Sequence, residues 1–224
     1  MRVVSLVPSV TETLLAWQIT PVGVTRFCEQ PSLPTFGGTK DPDLDAIVDL
    51  APDLVVMCHE ENRLEDFDAL VGAGLRVQAL RIESMADVDR GMADLAEAVG
   101  AVTPAAFVAP RHEGPRRTAF VPIWRRPWMT LADDTYGASL LAALGVDVIV
   151  ASGEGRYPEM ALSEAATRRP DLVLAPSEPY PFAARHVAEL EAVAPVVLID
   201  GQDLFWWGAR TPSAFARLSA VLHR

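Results

Sequence analysis

DAIVDLAPDLVV at residues 45–56 and LSEAATRRPDLV at residues 162–173 decide the fold of this chain. Each stretch begins with apolar residues at helical spacing, reaches a proline followed by aspartate, and ends in a short apolar run. A proline stops a helix, and a short apolar run is typical of a buried strand. The repeated order of helix, turn and strand therefore predicts two similar α/β halves. Alternation of strands and helices favours parallel sheets that are covered on both faces.

The same alternation extends outward from both stretches. Strands are predicted at 3–7, 22–25, 54–57 and 76–80 in the first half, and at 118–123, 146–150, 172–175 and 196–199 in the second. Helices are predicted from Ser9, at 43–50, 61–73, 84–99, 134–144, 163–168 and 183–192, and from Pro212. Ser9 and Glu12 have the spacing of a capping box. Asp133, Asp134 and Thr135 are interpreted as a helix start rather than as a paired acidic site.

We place the domain boundaries where the repeated pattern stops. Residues 1–82 form the predicted first lobe and residues 117–224 the second, with residues 83–116 between them. This middle segment holds one amphipathic helix, followed by an irregular stretch that is rich in Pro, Gly and Arg. Two similar lobes joined in this way predict a ligand cleft between them.

Composition excludes several classes of function. The 224 residues carry a formal net charge of -11 and no basic stripe, which argues against a nucleic-acid partner. No apolar run is long enough to span a bilayer. Met1 is followed directly by the first strand, so we expect a cytoplasmic protein, or a periplasmic or surface-anchored one if a signal segment is missing. Cys28 and Cys58 are expected to be buried free thiols, and the chain is expected to be a monomer.

Candidate ligand contacts lie at the carboxyl ends of the predicted strands, where open parallel sheets bind ligands. They are Ser9, Phe27, His59, Trp124, Arg125, Trp128, Arg156, Tyr157, Tyr180, Phe182, Trp206 and Trp207. Aromatic faces and guanidinium groups together suit a large, flat, partly anionic ligand. The alternative is that some of these aromatic residues pack in the core.

Metal and catalytic chemistry have weaker support. Cys58, His59 and Glu60 offer three donor types, but adjacent side chains point apart and rarely chelate one ion. His59 is the candidate metal ligand, as an axial ligand to a bound complex. Cys28 is the second candidate, and His186 is the third, because it lies in a predicted helix. The sequence contains no recognisable phosphate-binding loop and no recognisable Ser/His/acid set. We therefore expect a binding protein without catalytic residues. An enzyme using the same cleft and a protein-interaction module are the alternatives.

Four stretches resemble the helical-backbone metal receptor family, the cobalamin- and siderophore-type substrate-binding proteins of ABC transporters. They are VVSLVPSVTETLLAW, GGTKDPDLDAIVDLAPDLVV, VPIWRRPWMTL with DTYGASLLAALG, and GRYPEMALSEAATRRPDLVLAPSEPYPF. The resemblance covers nearly the whole chain, and the order of its motifs is more specific than any one of them.

The resemblance implies two Rossmann-like lobes bridged by a single helix, as in class III periplasmic binding proteins. It also implies a bound cobalamin or iron chelate, such as a siderophore or haem, and no intrinsic cofactor. The aromatic positions at Trp124, Trp128, Tyr180 and Trp206 would hold this ligand. Transporter-coupled relatives dock on permease arginines through an acidic residue near the start of the third helix of each lobe. Glu65 fits that position in the first lobe, and Glu178 lies close to it in the second. An ABC permease is therefore an expected partner.

Overall fold

The computed structural model describes residues 1–223, and they form two compact units. The first unit contains residues 1–82, 86–106 and 207–210, and the second contains residues 83–85, 107–206 and 211–223. The helix at 85–99 therefore belongs mainly to the first unit, as does the short segment 207–210. The predicted boundaries at 82/83 and 116/117 stay predictions.

The first unit is built on a four-stranded parallel sheet in the order β2-β1-β3-β4. Its strands are β1 (Val3–Ser5), β2 (Gly23–Val24), β3 (Leu54–Cys58) and β4 (Val77–Leu80). Its helices are α1 (Pro8–Ala16), α2 (Leu44–Leu50), α3 (Leu64–Gly72) and most of α4 (Met85–Val99). Every residue of β1 and β3 is buried, because these central strands are covered on both faces. Asp43 caps α2 by accepting a hydrogen bond from the backbone N–H of Ala46.

The second unit is built on a four-stranded parallel sheet in the order β10-β9-β5-β8. Its strands are β5 (Arg117–Phe120), β8 (Val146–Val148), β9 (Leu172–Pro176) and β10 (Val196–Ile199). A separate antiparallel hairpin follows β5 and consists of β6 (Pro122–Trp124) and β7 (Met129–Thr130). The helices are α5 (Tyr136–Ala143), α6 (Leu162–Thr167), α7 (Ala184–Leu190), α8 (Gly201–Phe205) and α9 (Thr211–Leu222).

The two sheets have the same topology, which confirms the predicted duplication. If β5, β8, β9 and β10 are numbered as the first to fourth strands of their unit, both sheets have the strand order 2-1-3-4. The prediction of an α/β fold with two Rossmann-like units and parallel sheets is therefore confirmed.

The aspartates of the repeated Pro-Asp turns make equivalent bonds in the two units. The carboxylate of Asp53 accepts from the backbone N–H of Arg2 at 2.5 Å, and that of Asp171 accepts from Thr118 at 2.6 Å. In return, the N–H of each aspartate donates to the carbonyl of the same partner, at 2.8 and 2.9 Å. Each turn is thereby fixed to the start of the central strand of its sheet. This bond explains why the Pro-Asp pair occurs in both halves.

Two local predictions are wrong, and a proline accounts for each. Ser9 does not cap α1, because the helix begins at Pro8 with Val7 at the N-cap, and proline is favoured at the first helical position. The predicted strand 118–123 is divided, because β5 ends at Phe120 and the chain enters β6 at Pro122. Proline has no N–H to donate to a ladder, so the parallel sheet does not continue through this residue.

The described chain has no helix that combines the length and the apolar character needed to cross a membrane.

Candidate functional site

The strand order creates a switch point at the carboxyl edge of each sheet. In the first unit it lies between β1 and β3, because the chain leaves these neighbouring strands toward opposite sides. In the second it lies between β5 and β9. Ligands of open parallel sheets bind at such points. The loops that follow these four strands are therefore the candidate site of each unit.

Asn62 holds the switch point of the first unit together, and sequence reasoning missed it. Its side-chain amide donates to the carbonyls of Leu6 and Thr39 at 3.1 and 3.0 Å, and its oxygen accepts from the N–H of Cys58 at 2.8 Å. The ends of β1 and β3 are thus joined to the loop before α2 by one buried side chain. The local pattern of an asparagine before a helix gives no sign of these distant partners.

His59 is the exposed member of the Cys58–Glu60 group, while Cys58 is buried. Burial, reinforced by the nearby carboxylate of Glu61, raises the pKa of the Cys58 thiol to about 12, so the thiol is neutral at ordinary pH. The backbone N–H of His59 donates to Leu80 at 2.9 Å, which fixes the backbone but leaves the ring at the surface. No set of three or more His, Cys, Asp or Glu side chains in residues 1–223 is placed to hold a metal ion. His59 as an axial ligand stays a prediction.

Phe27 is exposed at the end of β2 and lies under an arginine. The guanidinium carbon of Arg26 is 4.8 Å from the centre of the Phe27 ring. The same guanidinium binds the carboxylate of Asp41 at 2.9 Å. Gly38 makes room for this pair, because a Cβ there would lie 2.7 Å from the Arg26 terminal nitrogen. The exposed ring and its paired arginine form a fixed group at this edge.

An aromatic cluster dominates the candidate site of the second unit. We define it as Trp124, Trp128, Tyr180, Phe182 and His186, of which the first two come from the hairpin after β5 and the others from the loop after β9 and from α7. Trp124 contacts Tyr180 edge-on with ring centres 5.7 Å apart. Trp128 stacks on Phe182 at 5.9 Å, and Tyr180 lies 4.7 Å from Phe182. The structure thus places these aromatic residues in contact with one another, and their role in ligand binding stays a prediction.

The aromatic cluster has a buried side and an exposed side. Phe182 and His186 are 4% and 6% exposed, whereas Trp124 is 44% exposed. Trp128 and Tyr180 lie between these limits. The Nδ1 atom of His186 accepts a hydrogen bond from the N–H of Ala183 at 3.1 Å, so the imidazole helps to hold the start of α7. The cluster therefore presents Trp124 and the edges of Trp128 and Tyr180 on a packed base.

The two arginines among the predicted ligand contacts, Arg125 and Arg156, are paired with carboxylates. Arg125 lies over Trp128, with its guanidinium carbon 5.9 Å from the ring centre, and donates from Nε to Glu189 at 3.0 Å. The Glu189 carboxylate, aided by the Tyr180 phenol, raises the pKa of Arg125. Arg156 binds Glu83 at 2.5 Å and the carbonyl of Asp134 at 2.9 Å. Tyr157 beside it is 37% exposed.

Other predicted ligand contacts are buried or only partly exposed. Ser9 and Trp207 are 1% and 3% exposed, and the Ser9 hydroxyl accepts from the backbone N–H of Trp207 at 3.3 Å. Trp206 is half-buried, and its N–H donates to Gln202 at 2.9 Å. Phe182 is in the buried base of the aromatic cluster. The structure brings Trp124, Arg125, Trp128, Tyr180 and Phe182 together in one place, and Ser9 and Trp207 in another.

The two predicted docking residues differ in setting. Glu65 is exposed in the first turn of α3, with its carboxylate 3.7 Å from Nε of Arg63. Glu178 is half-buried in the loop after β9, before α7 begins.

Comparison with known proteins gives one consistent class. The chain is 24% identical over 189 residues to the vitamin B12-binding protein of Salmonella typhi, covering 77% of this chain and 71% of that protein. It matches the periplasmic vitamin B12-binding protein of Vibrio cholerae with a TM-score of 0.80 at 19% identity, over 99% of this chain and 96% of the other. A periplasmic haem-binding protein of Pseudomonas aeruginosa matches with a TM-score of 0.80 at 20% identity, over 98% and 91% of the two chains. No protein-family model matches the sequence.

The fold of this chain is that of the periplasmic vitamin B12-binding and haem-binding proteins. The names of these relatives and structural neighbours support the resemblance to the helical-backbone metal receptor family found in the sequence. The relatives named above are binding proteins rather than enzymes.

Proposed function

We propose that this protein binds a cobalamin-like ligand or another flat metal chelate, such as a siderophore complex or haem, and acts without catalysis. One observation carries the proposal: the exposed edge of the aromatic cluster at the switch point of the second unit. Large ring faces held in place by a packed base suit a flat ligand, because stacking loses little side-chain freedom on binding. Relatives whose names specify vitamin B12 or haem support the same class of ligand.

The first unit by itself offers a smaller set of candidate ligand groups. Phe27 and His59 are exposed at the ends of β2 and β3, which are separated in the sheet only by β1. Phe27 offers a ring face, and a neutral His59 imidazole offers one nitrogen to the metal of a bound complex. The protein itself then needs no resident cofactor, because the metal arrives within the ligand.

Delivery to an ABC permease is the proposed role of the loaded protein. Glu65 is suited to docking, because it is exposed at a helix start and is only loosely associated with Arg63. Glu178 is the proposed counterpart in the second unit. This role places the protein on the outer face of the membrane, in the periplasm or anchored to the surface. A cytoplasmic carrier of the same ligand would need neither glutamate.

An enzyme that uses the same residues is the second candidate, since exposed His59 stands beside Glu60 at a switch point. His59→Ala and Glu60→Ala distinguish the two. A binding protein loses affinity modestly in these variants. An enzyme keeps its affinity and loses turnover of the bound chelate, followed by absorbance.

Titration tests the proposal directly. Cyanocobalamin, a ferric siderophore and haem are each added to the protein while tryptophan fluorescence is followed, with correction for ligand absorbance and a calorimetric check. We expect saturable quenching by one of them at a stoichiometry of about one. Flat titrations with all three would contradict the proposal.

A further inference from the structure

The arginines that stack on aromatic rings at the strand ends are already paired with carboxylates. Arg26 stacks on Phe27 and binds Asp41 through both terminal nitrogens, at 2.9 and 3.1 Å. Arg125 stacks on Trp128 and binds Glu189 from Nε and a terminal nitrogen, at 3.0 and 2.9 Å. The same arrangement of ring, guanidinium and carboxylate thus occurs in each unit.

A third arginine at the strand ends follows the same rule. Arg156 binds Glu83 at 2.5 Å beside the exposed Tyr157. This pairing has two effects. The carboxylate neutralises the charge of the guanidinium, and it occupies the N–H edge through which arginine would bind a carboxylate of the ligand. What each pair leaves available is a flat, nearly neutral surface made of guanidinium and ring faces.

The net negative charge of the chain also disfavours the binding of anionic ligands. The chain carries 30 acidic and 19 basic side chains, so an incoming anion meets a field of its own sign. Two exposed arginines in the segments of the aromatic cluster have no carboxylate partner among the described residues. They are Arg126, in the hairpin turn after β6, and Arg185 in α7, which donates to the carbonyl of Pro181 at 3.4 Å. Two such guanidinium groups suit one or two negative groups, and they do not suit several.

We propose that the groups at the strand ends of each unit select an electrically neutral or weakly charged flat chelate and discriminate against chelates that carry several carboxylates. This inference rests on the proposed function and narrows its ligand class. A ligand carboxylate that approached Arg26 or Arg125 would have to share the guanidinium with Asp41 or Glu189, and the two anions would repel each other. An uncharged amide is not repelled in this way. The carboxylates of Asp41 and Glu189 therefore make the protein specific by repelling anionic ligands.

A matched pair of ligands tests this inference. Cyanocobalamin carries uncharged peripheral amides, and a derivative with three of these amides hydrolysed to carboxylates keeps the same ring and metal. Calorimetry is expected to show at least about tenfold weaker binding of the tricarboxylate by the unmodified protein, and a smaller difference at high salt, because ions screen the repulsion.

Charge variants identify the source of the discrimination. Asp41→Asn and Glu189→Gln each free one stacked guanidinium, and each is expected to reduce the preference for the neutral ligand by about threefold. Asp147→Asn is the control. Asp147 pairs with Arg116, which precedes β5 and therefore lies at the amino ends of the strands, away from the carboxyl ends that carry the candidate site. Circular dichroism is the check that all three variants fold like the unmodified protein.

The outcomes separate this inference from the proposed function. The inference is supported if the ratio of affinities for the neutral and the tricarboxylate corrinoid decreases in Asp41→Asn and Glu189→Gln and stays unchanged in Asp147→Asn. Equal or tighter binding of the tricarboxylate overturns the inference and leaves the proposed function standing. A preference that survives in both test variants also overturns it. Failure of all these ligands to bind contradicts the proposed function itself.

Discussion

The hydroxyl of Ser9 accepts a hydrogen bond from the backbone N–H of Trp207 at 3.3 Å, although 197 residues separate the two in the chain. Two further contacts accompany it. Thr13 accepts from the N–H of Ala209 at 3.1 Å, and Arg210 binds both carboxylate oxygens of Glu12 at 2.8 and 2.7 Å. One face of α1 is therefore occupied by the segment 207–210, which is part of the first unit.

Replacing Trp207 by alanine is expected to destabilise the protein. The side chain is 3% exposed, and its removal leaves a large cavity that costs about 3–5 kcal/mol. Ser9→Ala removes only one hydrogen-bond acceptor and is expected to cost about 1 kcal/mol. Urea unfolding followed by circular dichroism measures both. A change below 1 kcal/mol for Trp207→Ala would show that the segment 207–210 is not firmly packed.

Asn62→Ala is expected to lower the free energy of unfolding by about 3 kcal/mol. Two carbonyls and one N–H lose their shared partner, and buried polar groups without partners are costly. Asn62→Asp is the control that keeps the acceptor for Cys58 and removes the two donors. Thermal unfolding of both variants gives the comparison. If Asn62→Ala is as stable as the unmodified protein, the carbonyls of Leu6 and Thr39 must accept hydrogen bonds from other donors.

Both thiols are expected to be unreactive in the folded protein. Cys28 and Cys58 are each 2% exposed, and burial together with Glu61 raises the pKa of Cys58 to about 12. A disulfide reagent at pH 8 should therefore label neither cysteine on the time scale of minutes, and both in denaturant. Rapid labelling of one thiol without denaturant would contradict the packing described for the ends of β2 and β3.

The stability of the protein is expected to fall as the pH decreases below the unfolded pKa of histidine, about 6.5. The pKa of His186 is lowered by burial, with further contributions from Arg185 and Arg125. The unfolded chain therefore binds a proton at a pH where the folded protein does not, and this difference favours unfolding. The loss begins near the unfolded pKa and is complete below the lowered folded pKa.

His186→Asn isolates this contribution, because the asparagine oxygen can still accept from the N–H of Ala183. Urea unfolding of the two proteins at a series of pH values between 7 and 5 makes the test. The variant should lose less stability than the parent across this range. An identical slope would place the acid sensitivity in other groups.

The repeated stretches predicted the fold because their signals are local. The Pro-Asp turns act within a few residues and are where the pattern placed them. Asp43 caps α2 at the predicted start of that helix, and the left-handed Gly74 follows the predicted end of α3. Thr135 likewise caps α5 by accepting from the N–H of Ala138. The end of β5 was missed because a strand that changes sheet differs from a continuous one only in its distant partners, although Pro122 marks the position.

The candidate site was predicted less completely, because its organisation depends on contacts between distant segments. The positions of Trp124, Trp128 and Tyr180 follow from strand ends, and the structure does bring them together. The burial of Ser9 and Trp207 depends on the return of the segment 207–210 to α1, which no local pattern shows. Similarly, the carboxylate partners of Arg26, Arg125 and Arg156 lie 15, 64 and 73 residues away. The sequence therefore predicted a partly anionic ligand, whereas the paired charges favour a neutral one.

Calorimetric titration of cyanocobalamin into the unmodified protein, Trp124→Ala and Trp17→Phe tests the central claim most directly. Trp124 is exposed at the carboxyl edge of the second unit's sheet. Trp17 is the C-cap of α1 in the first unit, at the helix end remote from the carboxyl end of β1 in that unit. We predict one binding site per chain, at least about tenfold weaker binding in Trp124→Ala and unchanged binding in Trp17→Phe. Equal affinities in all three proteins, or no binding by the unmodified protein, would contradict a ligand site built on the aromatic cluster.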